Sequence, residues 1–525
     1  MFVFAVGVIL AYISFRCVYT MIEWLSNTVN IKDNDQVEPD NDIDYSVIII
    51  CALCSIGVIT ICSRSSFIYP FNDWYDSNCY FTVGKSMMNG IIPYRDLFEH
   101  KGPLLYFLHG IAWFISKDTF LGVYFMEIIS MFVFLFFSYK IMRMYAGKGI
   151  LYSIPVIALI TCTSDAFFYG DSAEELCLPF VAASLWIFLK NIRTKTSFSI
   201  KDSVIIGLLS GCVFWIKFSL VGMYVGWYLV YLYECLKGRK KKELLSSTLY
   251  IALGVVISTV PYIIYFGLNN SISDWLNVYL IKNIFSYSDA ETTNSLINNI
   301  VDGIYNMLKH NAYVYYFCLA GAAFLLIFKE VRERYYVLAM LITEFFFVYI
   351  GGVSLFYYSL ILNLFMIFGM ILIYRLLLRV KRIPLVTDHL RIMSFLLTVI
   401  CIIASFFLSQ NSYLIGVDKD ELPQYQFARV INKEENPTLL NYGFLDGGFY
   451  TVANIFPNCR YFARLNLNPL EIYEIQTGYL EKGLCDYVVS REEIELDNYE
   501  LVAKSHTYPS DNEDTVYYYL YKLKK

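Results

Sequence analysis

Charge is scarce in this sequence. Of its 525 residues only 17% are Asp, Glu, Lys or Arg, against 57% that are hydrophobic, and the mean hydropathy is +0.50. Soluble domains carry about 25% charged residues, so an ordinary cytosolic enzyme is excluded. Neither sign is in large excess: 41 basic and 46 acidic residues leave −5, too balanced for a nucleic-acid binder that works through a basic field. There is no P-loop and no Rossmann fingerprint. There is also no Cys/His cluster at metal-ligand spacing, no internal repeat and no low-complexity segment, and the lack of a repeat counts against repeat-built transporters. The 13 cysteines fall mostly inside apolar runs, where a thiol behaves as a small hydrophobe. The one C-x-x-C, Cys51 to Cys54, lies in such a run and gives little support for redox or metal chemistry. Only Cys79, Cys459 and Cys485 sit in polar sequence, and the last two read equally as a disulfide or as two buried thiols.

Apolar sequence, by contrast, is abundant and comes in lengths that suit a bilayer. Runs at 2–25, 46–62, 119–138, 150–164, 176–190, 203–218, 220–236, 249–268, 312–328, 336–352, 353–374 and 393–409 make about twelve candidate spans. Basic residues cluster in Lys140–Lys148, Lys190–Lys201, Lys237–Lys242, Lys329–Arg334 and Arg375–Arg391, which the positive-inside rule assigns to the cytoplasm. Two spans separate each basic loop from the next, so the register is self-consistent. It puts the loops 63–118, 165–175 and 269–311 outside, with everything after residue 410. Residues 1–25, interrupted by Arg16, read either as a spanning helix or as an interfacial one; no small-residue cleavage site marks a signal peptide. Pro103–Ser116 reads as a helix lying along the outer interface. From Gln410 onward the composition changes to 11 basic and 18 acidic residues, with strand-like runs at 438–444, 485–490 and 516–523 and helix-like stretches at 424–432 and 469–482. The expected architecture is an α-helical polytopic plasma-membrane protein of about 11–13 transmembrane helices over residues 1–410, followed by a small extracytoplasmic α/β domain over 411–525.

Ionisable residues crowd into the outer loops. The first contains Asp73-Trp74-Tyr75-Asp76-Ser77-Asn78-Cys79-Tyr80, then Gly90-Ile91-Ile92-Pro93-Tyr94-Arg95-Asp96, then Glu99-His100-Lys101-Gly102-Pro103-Leu104. Either these charges are simply solvated, or they form a site at headgroup depth. The second, Asp165–Glu175, holds four acids and no base. Such a group either attracts a cation, an amino group or Lys101 and Arg95 of the first loop, or caps the following helix at ~0.3–1 kcal/mol per carboxylate. Within the spans, Lys217 and Glu344 require a cavity or a polar partner, since a charge near the bilayer centre costs at least ~2.5–3.5 kcal/mol. Lys217, near the outer end of its span, either snorkels or meets a phosphate.

An acid beside Tyr in the first outer loop, the Gly-x-x-Pro-Tyr-Arg-Asp segment and the Lys-x-Pro-Leu-x-Tyr run into a juxtamembrane helix resemble the GT-C glycosyltransferases. The nearest branch is the protein-mannosyltransferase and aminoarabinose-transferase group, which uses polyprenyl-phosphate-linked sugars. In motif the resemblance covers residues 73–106, the acidic second loop and Phe356-Tyr357-Tyr358. It implies a bacterial membrane glycosyltransferase that moves a sugar from a polyprenyl phosphate to a cell-envelope glycan, lipid or protein on the outer face. It further implies Asp76 as the first-loop catalytic acid, Asp171 as the second-loop acid with Glu174 and Glu175 as rivals, and Lys101, helped by Arg95, at the lipid phosphate. Asp73, Tyr80, His100, Tyr357 and Tyr358 would line the substrate. Gly102 departs from the family, which often has Lys-Pro-Pro-Leu here. No cofactor is required; Glu99, His100 and the second-loop acids leave a divalent cation open, and the metal-free reading is preferred. Two other classes stand beside this one. A transporter or lipid flippase would spread ionisable groups through its spans. A non-catalytic cell-wall assembly protein would bind polymer through tail aromatics such as Tyr442, Phe444, Phe449, Tyr450 and Tyr461.

Overall fold

The computed structural model describes residues 44–194, 196–285, 296–327, 333–351, 354–379, 390–465, 467, 469–509 and 514–524. The first apolar run, 2–25, lies outside them; each of the other eleven is mainly helical over its described residues. In chain order the helices are α1 (Tyr45–Cys62), α2 (Tyr75–Met88), α3 (Pro103–Ile115), α4 (Leu121–Ala146), α5 (Ser153–Thr163), α6 (Ala173–Arg193), α7 (Ile200–Ile216), α8 (Gly222–Lys237), α9 (Lys241–Leu268), α10 (Ile272–Leu276), α11 (Leu296–His310), α12 (Ala312–Ile327), α13 (Arg334–Tyr349), α14 (Met366–Arg379) and α15 (Leu390–Leu408). A tighter 3-10 segment, Phe356–Phe365, leads into α14. Among the described residues α1, α4, α6, α9, the continuous rod Phe356–Leu378 and α15 are long and apolar enough to cross a membrane singly, and the protein is multi-pass. α11 and α12 meet at 113°, so α11, in the expected outer loop 269–311, turns away from the apolar α12.

Side-chain size decides how closely the helices approach. α7 lies against α9 where Gly207 faces Gly254; a Cβ on Gly207 would sit 2.0 Å from the Ile251 carbonyl oxygen, so only glycine permits this contact. At one end of the bundle Arg375 Nε donates to the Tyr145 carbonyl (2.9 Å), tying together two of the basic loops. At the other end the loops converge. Asn411, just past α15, donates from Nδ2 to the carbonyls of Cys62 (2.6 Å) and Phe168 (2.8 Å). The Gly102 amide donates to the Ile216 carbonyl (3.0 Å).

One expected loop is a helix. Residues 75–88 are too polar to show an apolar stripe, yet they form α2, because Asn72 Oδ1 accepts from the Trp74 amide (3.1 Å) at its start and Gly90, at φ 83°, ends it. α2 packs against α3, the juxtamembrane helix. After α15 the chain forms α16 (Pro423–Ile431), β1 (Leu439–Tyr442), α17 (Phe449–Val452), α18 (Pro469–Glu481), β2 (Tyr487–Ser490), β3 (Tyr499–His506) and β4 (Tyr517–Leu523). The sheet order is β1-β2-β4-β3, with β1 and β2 parallel and the other pairs antiparallel. β3 escapes the sequence pattern because it is an edge strand with exposed Glu500 and Lys504 interrupting its apolar residues. Cys459 and Cys485 are free and buried.

Candidate active site around Asp76

Asp76 sits in the first turn of α2, where the unpaired amides of a helix start favour a carboxylate. Its Oδ2 accepts two phenolic hydrogen bonds at 3.0 Å, one from Tyr80 a turn further along α2 and one from Tyr357 in the 3-10 segment. Burial, and the charge of Asp76, push the Tyr80 phenol well up, so Tyr80 stays a donor. Both donors share Oδ2, which leaves Oδ1 for a further partner.

Lys101 lies over Tyr80, its Nζ 5.8 Å from the centre of that ring. The Gly-x-x-Pro-Tyr-Arg-Asp segment is a turn held by Asp96, whose Oδ2 accepts from the Ile92 amide (2.8 Å), with Tyr94 in the left-handed region at φ 68°. That turn buries the Tyr94 hydroxyl against the Lys101 carbonyl (2.7 Å). Glu99 Oε2 accepts from the Lys101 amide (2.9 Å) and from the Tyr106 hydroxyl. Burial raises the Glu99 carboxyl above its usual range, although Lys101 pulls the other way. His100 is driven well below its ordinary value, first by burial and then by Lys101 and Lys217. The neutral ring can therefore accept from Lys101 Nζ at Nε2 (3.3 Å), with its proton on Nδ1, 3.5 Å from Glu99 Oε1.

Lys217 completes the cluster. It is the residue after α7, and its Nζ pairs with Glu174 Oε1 at 2.5 Å and lies 3.6 Å from the centre of the Tyr358 ring. It meets a carboxylate rather than snorkelling. Gly102 explains how two lysines come together: a Cβ there would fall 1.9 Å from the Trp215 carbonyl oxygen. The Lys101 loop therefore packs backbone-to-backbone on the end of α7, and the Gly102 amide makes a bond that a proline could not.

Asp76, Tyr80, His100, Lys101, Glu174, Tyr357 and Tyr358 thus share one cluster, and the remaining expected site residues are placed elsewhere. Arg95 forms a fork with its neighbour Asp96 (2.7 and 2.8 Å) and donates from Nη1 to the Asn269 carbonyl (2.9 Å), with 42% of its side chain exposed. Asp73 pairs with the buried Arg64 (2.6 Å). Asp171, at φ 65° and fully buried, faces His109 Nε2 through both oxygens at 3.0 Å. Its amide is shared by Glu127 Oε1 and Glu175 Oε2, both at 2.9 Å. Asp171 and Glu175 therefore form an inner layer behind the Asp76 cluster. The Ser172 hydroxyl caps α6 by accepting from the Glu175 amide (3.0 Å), so Glu174 and Glu175 stand in a first turn as the capping alternative requires. Glu99 is marked by the sequence only as a candidate cation ligand, Tyr94 lies inside a motif without a role of its own, and nothing local marks His109. Among the described residues no three His, Cys, Asp or Glu side chains are grouped to hold a metal ion.

The chain shares its fold with two solved membrane proteins. The chain is similar to ArnT from Cupriavidus metallidurans bound to undecaprenyl phosphate, at TM-score 0.58 and 12% identity over 90% of this chain and 97% of that one. The apo state of the same protein aligns at TM-score 0.54 and 11% identity, over 85% and 92%. The arabinofuranosyltransferase AftD from mycobacteria aligns at TM-score 0.52 and 11% identity, over 93% of this chain and 40% of that larger one. No family model and no curated protein matches by sequence.

Proposed function

We propose that this protein transfers a sugar from a polyprenyl-phosphate donor to an acceptor of the cell envelope on the outer face of the membrane. The observation that carries the reading is Asp76, with Oδ1 uncommitted, beside Lys101 and Lys217 in a fold shared with a protein solved on undecaprenyl phosphate. Arg375 meets Tyr145 at the end of α4 remote from Leu121, and basic stretches of the sequence adjoin both residues, so the positive-inside rule favours an outer-facing site and an extracytoplasmic C-terminal unit.

In this reading the acceptor hydroxyl or amine attacks the anomeric carbon while the bond from that carbon to the phosphate oxygen breaks. Asp76 Oδ1 takes the acceptor's proton, and Tyr80 and Tyr357 hold the carboxylate in one orientation. The electron pair leaves with the polyprenyl phosphate, whose growing charge Lys101 and Lys217 offset. Neutral His100 receives the Lys101 ammonium and keeps it aimed. The activated donor supplies the driving force, and no step here requires a metal ion.

Mass spectrometry of lipid co-purified with the protein tests this reading. A polyprenyl phosphate carrying a sugar is the expected finding. Absence of any polyprenyl phosphate, coupled with failure to bind added undecaprenyl phosphate, would contradict it.

A further inference from the structure

α2 has two polar faces, and only one of them belongs to the site. Asp76 and Tyr80 share one. Asn78, Thr82 and Lys85, spaced four and three residues apart, share the other, and all three meet the C-terminal α/β unit. Asn78 Oδ1 accepts from the Thr451 hydroxyl (3.1 Å) and the Thr82 hydroxyl donates to Asp446 Oδ2 (2.6 Å). Lys85 Nζ donates to the Tyr450 carbonyl (2.6 Å). Lys85 and Asp446 are both fully buried, and Asp446 Oδ1 is fixed by the Gly448 amide (2.9 Å) and by Asn441 Nδ2 (3.2 Å). Burying an ammonium and a carboxylate costs several kcal/mol that an apolar contact would not incur. An interface serving cohesion alone would fill this space with Leu or Met. Directional bonds do what apolar packing cannot: they specify how far α2 is rotated about its own axis. Asp76 lies nine residues from Lys85, about 13.5 Å along the same rigid helix, so a rotation set at Lys85 is carried to the carboxylate.

We propose that Lys85, through the Tyr450 carbonyl and Asp446, is a positioning residue that sets the rotation of α2 and hence the direction of Asp76. The C-terminal unit is then part of the catalytic apparatus rather than an appended cover. This rests on Asp76 acting in transfer as described above. Burial draws Lys85 down to about 7, which agrees with a group held by geometry more than by charge.

The test is the full-length Lys85→Met variant, assayed with the polyprenyl-phosphate sugar that co-purifies with the protein. A positioning role predicts a kcat at least tenfold lower and a donor KM within twofold of wild type. Thr82→Val, which removes the Asp446 contact without touching a charge, should lower kcat by about threefold in the same pattern. In a cryo-EM structure of the Lys85→Met protein, Asp76 Oδ2 should have moved beyond hydrogen-bond reach of the Tyr357 hydroxyl. An unchanged Asp76–Tyr357 contact overturns the proposal whatever the substrate proves to be. So does a kcat within twofold of wild type, or an equal loss in kcat and KM with release of the C-terminal unit to protease. Asp76→Asn in the same assay isolates the underlying reading: full turnover there removes Asp76 from the chemistry, independently of what Lys85 does.

Discussion

Replacing Gly102 by proline would restore the Lys-Pro-Pro-Leu pattern of the family that the sequence resembles, and it should damage this protein. The backbone itself would allow it, since Gly102 sits at φ −78° and ψ 151°, within proline's range. Space does not: the new Cβ would lie 1.9 Å from the Trp215 carbonyl oxygen and 2.4 Å from its carbon, so the two loops must part by more than an ångström. Overpacking of this kind costs about 1–3 kcal/mol. Proline also removes the N–H that the Ile216 carbonyl accepts, and a carbonyl orphaned among buried neighbours costs about 1–3 kcal/mol more. Gly102→Ala incurs the first cost alone and Gly102→Pro both. The end of α7 carries Lys217, so the same separation should draw it from Lys101 and weaken undecaprenyl phosphate binding about tenfold for proline and less for alanine. Thermal unfolding in detergent and a lipid-binding titration measure the two effects. A proline variant with wild-type melting and wild-type affinity would refute the claim that this contact builds the phosphate site.

Three further outcomes are expected. Arg95→Ala should leave donor affinity within about twofold, because its guanidinium is committed to Asp96 and Asn269 and its surface pair contributes little; a large loss in a binding titration would return it to the phosphate site. Tyr357→Phe deletes one of the two phenols on Asp76 and should lower kcat by about tenfold, consistent with the ~1.5 kcal/mol of a hydrogen bond to a charged group, as single-turnover rates would reveal. The third concerns pH. The folded protein holds Lys85 at about 7, below its usual 10.5, with Asp446 the charged group facing it. Folding therefore disfavours the protonated form, and stability declines as pH falls from 10.5 to about 7, by up to ~1.4 kcal/mol per unit, then levels off. Melting curves from pH 7 to 10 should show this slope in wild type and its loss in Lys85→Met; parallel slopes would remove Lys85 as the source.

Much of the membrane part was readable because hydrophobic runs of bilayer length have few alternatives to a helix. The runs 46–62, 119–138 and 249–268 reappear as α1, α4 and α9, with α4 and α9 each extended by about two turns at one end. α2 was not readable, since Tyr75–Met88 has no apolar stripe and is marked only at its ends, by Asn72 and Gly90, while the polar faces it buries against the C-terminal unit are paired across the chain. The Asp76 and Lys101 motifs were visible because their residues are local in sequence. The partners were not: Glu174 and Lys217 are 43 residues apart, and Asp76 and Tyr357 are 281 apart, so packing alone unites them. Among the second-loop acids the resemblance favours Asp171, with Glu174 and Glu175 as rivals, and their partners rather than their burial separate them: Asp171 turns inward to His109, whereas Glu174 reaches Lys217 beside Tyr358. Arg95 misled for the opposite reason. It has the right chemistry at the right depth, but the turn that presents Tyr94 to Lys101 leaves Arg95 facing outward.

The central claim is that Asp76 is the proton acceptor in sugar transfer from a polyprenyl phosphate. Release of free undecaprenyl phosphate from the co-purified sugar donor, compared between wild type and Asp76→Asn, addresses it directly. The account predicts turnover at least about a hundredfold slower in the variant, the low end of what a general base supplies, with undecaprenyl phosphate affinity within about twofold. Wild-type turnover by Asp76→Asn would contradict it.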